Sequence, residues 1–216
     1  MTPLARSLRA ITQRVTPVSL FELASAKWLR GERLELVQLA SELGVARATI
    51  FRWAGTREQL YGEVISANYA RHHEHIVRTT RGKGLDRLER VARRNLTALT
   101  KAGPLRRFVA SDPEFALRVL TSKTSPVQAR SMALEVAFLS EILTEAEIEP
   151  VLDVETLAFI IIRIGESFLY TDAISGRKPE IEKAVAAIRI LVAAEEKPKG
   201  TKGRASVPRK RAARRA

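Results

Sequence analysis

The sequence predicts an all-α fold, with about nine helices. Apolar residues recur with a 3.6-residue period along most of the chain, and no segment alternates convincingly with period two. Helix-breaking pairs such as Gly103-Pro104, Ser125-Pro126 and Glu149-Pro150 divide the chain at helix-length intervals, and Gly31, Gly44 and Gly55 close three shorter periodic stretches.

Taken in order, residues 1–18 contain three Arg, two Pro and no acid, and read as a basic arm with a short helix over 5–15. Ser19 caps a first helix that ends at Gly31. Leu36, Leu39, Ala40 and Leu43 form a short amphipathic helix closed by Gly44, and Thr49, Ile50 and Trp53 mark another closed near Gly55. Thr56, with Glu58 and Gln59 behind it, starts a longer helix to about Arg78. The Arg-Gly-Lys-Gly stretch at 81–84 is a module boundary.

Further helices are expected at 85–102, 104–121 with a break near Asp112-Pro113, 126–145, 153–173 and 179–194. Residues 197–216 combine Pro, Gly and Ala with nine Lys/Arg and no acid, a composition that cannot bury a core, so a disordered basic tail is expected. The expected domains are thus an arm at 1–18, a helix-turn-helix domain at 19–78, an effector-binding and dimerisation domain at 79–196, and the tail at 197–216.

Composition narrows the function classes. With 45% hydrophobic residues the chain has material for a buried core. The absence of cysteine excludes disulfides, thiolate zinc sites, iron–sulfur clusters and cysteine nucleophiles, which makes the cytoplasm the expected compartment. The first residues lack a signal-peptide pattern, and the apolar run at 157–162 stops at Arg163, so no membrane span or membrane partner is expected. The net charge of +13 is concentrated in the arm and tail, leaving a nearly neutral body.

The window at 34–60, LELVQLASELGVARATIFRWAGTREQL, carries the functional signal. Two helices of about eight residues meet through a glycine turn with a third directly behind. Ala40 is small where the helices cross, and Val45 and Ile50 pin a miniature core. The second short helix offers Arg47, Thr49 and Arg52, with Arg57 in the next first turn and no acid between Gly44 and Thr56. Guanidinium groups fork onto guanine or phosphate, Thr49 can bond a base edge or phosphate, and amides at the Thr56 helix start can accept a phosphate. Spacing alone leaves open that these cations are merely a solvated face.

These residues resemble the TetR family of transcriptional regulators, in the turn Ala40 to Gly44-Val45, in Thr49, Ile50 and Phe51, and in Arg57-Glu58-Gln59-Leu60. The strings RWAGTREQLYGEV at 52–64 and RIGESFLYTDAISGRKPEIEKA at 163–184 resemble its QsdR-type branch. The resemblance implies that Arg47, Thr49, Phe51, Arg52 and Trp53 face double-stranded DNA at a palindromic operator, while Thr56 and Arg57 clamp the backbone. Three departures stand out: Ala46 lacks a hydroxyl, Phe51 lacks a phenol oxygen, and Glu35 stands where a threonine often meets phosphate. The branch also implies a lactone or related acyl effector, and no cofactor.

In the second module, the helix at 153–173 is apolar on most sides, and the last helix repeats Ile181, Val185, Ile188 and Val192 with Ala184 alongside. Ordinary core of a monomer is one reading. The resemblance instead makes Ile161, Ile164, Phe168, Ile181, Ala184, Val185, Ile188 and Val192 a homodimer interface. Arg163, Glu166 and Tyr170 share one helix face with Ser167, and either pair internally or meet a polar ligand. Phe108, Phe115, Phe138 and Phe159 read either as core or as walls of an effector cavity.

His72, His73 and His75 lie in one stretch, but they read as helix-surface histidines and no metal site is expected. No phosphate loop or catalytic triad stands out, so the chain is not expected to be an enzyme; a metal-dependent hydrolase is the enzymatic alternative. A basic-tailed protein that coats nucleic acid or anionic membrane without sequence choice is the third reading.

Overall fold

The computed structural model describes residues 15–170, 176 and 178–194. Most of the expected arm, including its short helix, lies outside the described residues, as do the basic tail and positions 171–175. The described residues form ten α-helices and no β-strand, and none of these helices is long and apolar enough to cross a membrane.

Helix α1 (Pro17–Arg30) starts earlier than expected because Pro17 suits a first turn. Thr16, not Ser19, is the cap: Thr16 Oγ1 accepts from the Ser19 amide at 3.3 Å, and Ser19 Oγ accepts from the Thr16 amide at 3.3 Å. Helices α2 (Leu36–Leu43) and α3 (Arg47–Ala54) are joined through Gly44, whose φ of 66° is the left-handed conformation the turn requires. Leu39, Ala40 and Ile50 are buried where the two cross.

Helix α4 (Arg57–Thr79) opens on a reciprocal cap. The Gln59 amide donates to Thr56 Oγ1 at 3.1 Å, and the Thr56 amide donates to Gln59 Oε1 at 2.8 Å. Such a cap contributes about 1 kcal/mol.

Helices α5 (Gly84–Lys101), α6 (Gly103–Ser111), α7 (Pro113–Thr121), α8 (Pro126–Ala146), α9 (Val154–Leu169) and α10 (Ile181–Ala193) follow. The break at Asp112-Pro113 is capped by the Asp112 carboxylate, which accepts from the Phe115 amide at 3.1 Å.

Two cores organise these helices. The first joins α1–α4 to α6 and α7 across the sequence boundary at 81–84. Its centre is aromatic: Tyr61 stacks on Phe108 at 4.7 Å, while Trp28 and Phe115 meet that pair edge-on. The Tyr61 hydroxyl accepts from the Leu34 amide at 2.8 Å, fixing the α1–α2 connection against α4. The second core gathers Ile76 of α4 with α5, α8, α9 and α10.

That second core, with a smaller cluster of Leu96, Ala184 and Val185, corrects the expected dimer interface at five of its eight positions. Ile161, Ala184, Val185, Ile188 and Val192 are buried within the subunit itself, and Ile164, Phe168 and Ile181 pack half-buried against the same cores. The apolar stripe of α10 faces α5 and α9, so it cannot simultaneously face a partner. The large apolar side chains that these helices turn outward are Phe159, 54% exposed, and Ile190, 73% exposed.

Candidate nucleic-acid interface and ligand cavity

Helix α3 has one inward residue, Ile50, and presents Arg47, Ala48, Phe51 and Arg52 to solvent. Positions i, i+1, i+4 and i+5 share one helix face. Phe51 is 48% exposed between the two arginines, and no fold contact explains an aromatic ring there. Ala48 at the middle of this face was missed from sequence, because alanine carries no polar signal; its small size allows close approach.

Thr49 is half-buried at the edge of the face, and Trp53 packs partly against the first core. Thr56 is exposed, with its hydroxyl occupied in the α4 cap.

Arg57, expected as a backbone clamp, is also engaged within the fold. Its Nε donates to the Leu34 carbonyl at 3.1 Å, its Nη2 lies 3.1 Å from Glu35, and its guanidinium sits 4.6 Å above the Phe115 ring. The group is engaged in holding α4 to the start of α2. Glu35, one of the three departures from the family pattern, is thereby partly neutralised.

Between α4 and the helices of the second module lies a cavity of about 130 Å³. Leu88, Val91, Ile161 and Ile188 supply apolar wall, and Tyr69, Asn95, Ser131, Glu135, Glu166 and Tyr170 supply polar atoms. Of the residues singled out from sequence as ligand-binding, Phe138, Glu166 and Tyr170 line it. The others do not. Phe108 and Phe115 belong to the aromatic centre of the first core, because α6 and α7 fold back onto the N-terminal helices. Phe159 is exposed, with the Arg163 guanidinium 5.5 Å above its ring.

Arg163 pairs with Glu166 at 2.9 Å, and Gln128 bridges the two, donating to Glu166 Oε1 at 2.7 Å and accepting from Arg163. Burial raises the Glu166 carboxyl above its usual range, opposed by the Gln128 bond and the Arg163 charge.

Glu135 is the residue that sequence reasoning overlooked. Burial alone pushes its carboxyl up to about 7, and among the described residues no donor reaches it. Tyr69, nearby on α4, is likewise raised by burial and by the Glu135 charge. The signal was present: Glu135 is the sole charge in Ser-Met-Ala-Leu-Glu-Val-Ala-Phe-Leu at 131–139. Asn95 Oδ1 is a second buried acceptor without a partner, while the Asn95 amide donates to His73 Nδ1 at 3.0 Å.

His73 is therefore no surface histidine. It is buried, its ring perpendicular to that of Phe138 with 6.0 Å between centroids, and burial lowers its pKa to about 4. Among the described residues no group of three His, Asp or Glu is placed to hold a metal ion.

An all-helical chain with a helix-turn-helix near one end and a helix-lined cavity behind it fits a family of regulators. The tetracyclin repressor-like C-terminal domain model matches residues 83–193, and the chain belongs to the TetR family of transcriptional regulators. Among solved structures, the transcriptional repressor QsdR of R. erythropolis superposes with a TM-score of 0.76 at 24% identity, over 84% of this chain and 96% of that one. The transcriptional regulator FadR of Bacillus subtilis, in complex with stearoyl-CoA, superposes with a TM-score of 0.50 at 14% identity, over 82% of this chain and 98% of that one. No curated protein matches the chain by sequence.

Proposed function

We propose that the chain is a cytoplasmic, homodimeric repressor that reads a palindromic operator through α3 and leaves it when a small molecule fills the cavity. It acts as a regulator, not as an enzyme. The carrying observation is a shared wall: Ile65, Leu105, Leu120, Val127 and Tyr170 line the cavity and also belong to the core that supports the helix-turn-helix. A ligand that displaces these side chains changes the support of α1–α4, and so favours a placement of the reading head that no longer suits DNA.

Rigid links between the modules strengthen this reading. Arg130 bridges to Glu63 at 2.6 Å and to Ser66 Oγ at 2.7 Å, and α4 approaches the start of α8 closely at Gly62. Two-fold pairing through the outward faces of α9 and α10, around Phe159 and Ile190, would set two α3 helices on half-sites about 34 Å apart. The cavity suits a ligand of about one ring in bulk, since cavities of roughly 150 Å³ hold benzene. The lactone or acyl class implied by the QsdR-type resemblance would have to be correspondingly small.

Selection of binding sites from random duplex DNA at about 150 mM salt, which strips most non-specific contacts, tests the proposal. Full-length chain and a truncation ending at Glu196 are compared. Enrichment of one palindrome by both supports a sequence-specific dimeric reader. No enrichment by either overturns it and leaves general polyanion affinity as the chain's DNA behaviour.

A further inference from the structure

The cavity contains two acceptors that the fold leaves unanswered. Glu135 lies on α8 facing the apolar interior, with no hydrogen-bond donor or cation among the described residues. Asn95 Oδ1, on α5 across the same cavity, is buried without a partner. Buried acceptors are almost always satisfied, so Asn95 Oδ1 is an exception that calls for a use; Glu135 is half-buried by its surface and opens into the cavity.

The residues around them are equally one-sided. Among the described residues no Lys, Arg or His lines the cavity, whereas two carboxyls do. Glu166 is already engaged by Gln128 and Arg163, so Glu135 is the carboxyl left for a ligand. Of the neighbouring charged or titratable groups, Tyr69 on α4 and Tyr170 just after α9 face the cavity; His73 is spent on Asn95, and Arg87 sits 5.7 Å over the Phe138 ring, paired with Glu141 and Glu145. An anionic ligand would meet two acids and no cation. A ligand that only accepts hydrogen bonds would leave Asn95 Oδ1 unanswered. A ligand ammonium supplies donors and positive charge together, and the rings of Tyr69, Phe138 and Tyr170 offer faces that attract a cation.

We propose that the effector is a small apolar amine whose ammonium group is held by the Glu135 carboxylate, beside Asn95 Oδ1 and within the aromatic part of the cavity. The proposal rests on the reading of this cavity as the effector site. It makes Glu135 the residue that selects ligand charge, and Leu88, Val91 and Ile161 the surface that selects ligand bulk.

Calorimetric titration of the full-length chain near neutral pH tests it with four probes of similar size: benzylamine, benzyl alcohol, benzoate and a six-carbon γ-lactone. Benzylamine is expected to bind about tenfold more tightly than the alcohol or the lactone, and benzoate not to bind. In Glu135→Gln the amine should fall to the level of the alcohol, while alcohol binding persists and shows that the cavity is intact. Alcohol, lactone or benzoate binding as tightly as the amine overturns the amine proposal while keeping the cavity as a receptor. So does an amine preference that survives Glu135→Gln. Failure of all four probes to bind overturns the effector-site reading itself.

Discussion

Arg57 and Glu35 form an ion pair at 3.1 Å that stands on an aromatic floor, the Phe115 ring lying 4.6 Å beneath the guanidinium. The pair joins the first turn of α4 to the start of α2, and it keeps an acid near the reading face from acting as a bare negative charge. Arg57→Ala is expected to lower stability by about 1–2 kcal/mol, through the lost Leu34 carbonyl bond and ring contact. Glu35→Gln should change stability by less than about 1 kcal/mol. It should tighten DNA binding at low salt, an advantage that fades as salt rises. Denaturant unfolding and anisotropy titrations across salt concentrations measure both; weaker low-salt binding by Glu35→Gln would contradict the arrangement.

The exposed face of α3 separates affinity from stability. Phe51→Ala should leave the unfolding midpoint nearly unchanged, within about 0.5 kcal/mol, because its ring is largely outside the core. It should nevertheless weaken operator binding. Arg47→Ala and Arg52→Ala divide by mechanism: a phosphate contact lowers the salt slope by about one, whereas a base contact costs about 1–3 kcal/mol and relaxes the preferred sequence at one position. Operator affinity unaffected by all three changes would remove α3 from the interface.

Gly62 lies within α4, where alanine is ordinarily the better helix former by about 1 kcal/mol. A Cβ there would fall 2.6 Å from both Pro126 Cδ and Ser125 Oγ. Gly62→Ala is therefore expected to destabilise by about 1–3 kcal/mol against its helix propensity. A stabilised variant in urea unfolding would show that α4 and α8 separate readily.

Two buried groups tilt stability in opposite directions with pH. His73 is held neutral, with its pKa lowered to about 4 mainly by burial, so its contribution is complete above about 6.5 and is lost as pH falls towards 4. Glu135 is raised to about 7 by burial; the folded state favours the protonated acid, so this contribution is present below about 4.5 and is lost as pH rises through 7. His73→Gln should flatten the acid limb of a stability–pH profile, and Glu135→Gln the limb between about 4.5 and 7. Unchanged limbs would mean that both sites open to water.

The local punctuation of this fold was legible in the sequence. Gly44, Thr56 and Asp112-Pro113 each act through their own backbone, so their structural effects stay close in sequence. The α3 face was largely legible as well, since spacing of 47, 51 and 52 decides which way a short helix points. Phe108 and Phe115 were not, because an aromatic on an amphipathic helix looks the same whether it walls a cavity or fills a core. Only the return of α6 and α7 onto Trp28 and Tyr61, a long-range contact, decides between them. The stripe of α10 was misread for a similar reason: period identifies a buried face, but not whether self or partner buries it.

The shared wall of Ile65, Leu105, Leu120, Val127 and Tyr170 makes ligand taste and reading-head integrity one inherited trait. Changes there that admit a bulkier inducer also loosen the scaffold beneath α2 and α3, and selection must accept both effects together. Ser131, Glu135 and Phe138 lie on the opposite side of that division, lining the cavity without belonging to the helix-turn-helix core. A lineage, or a sensor engineer, that retunes this protein therefore has its freest alphabet along α8 beyond Val127.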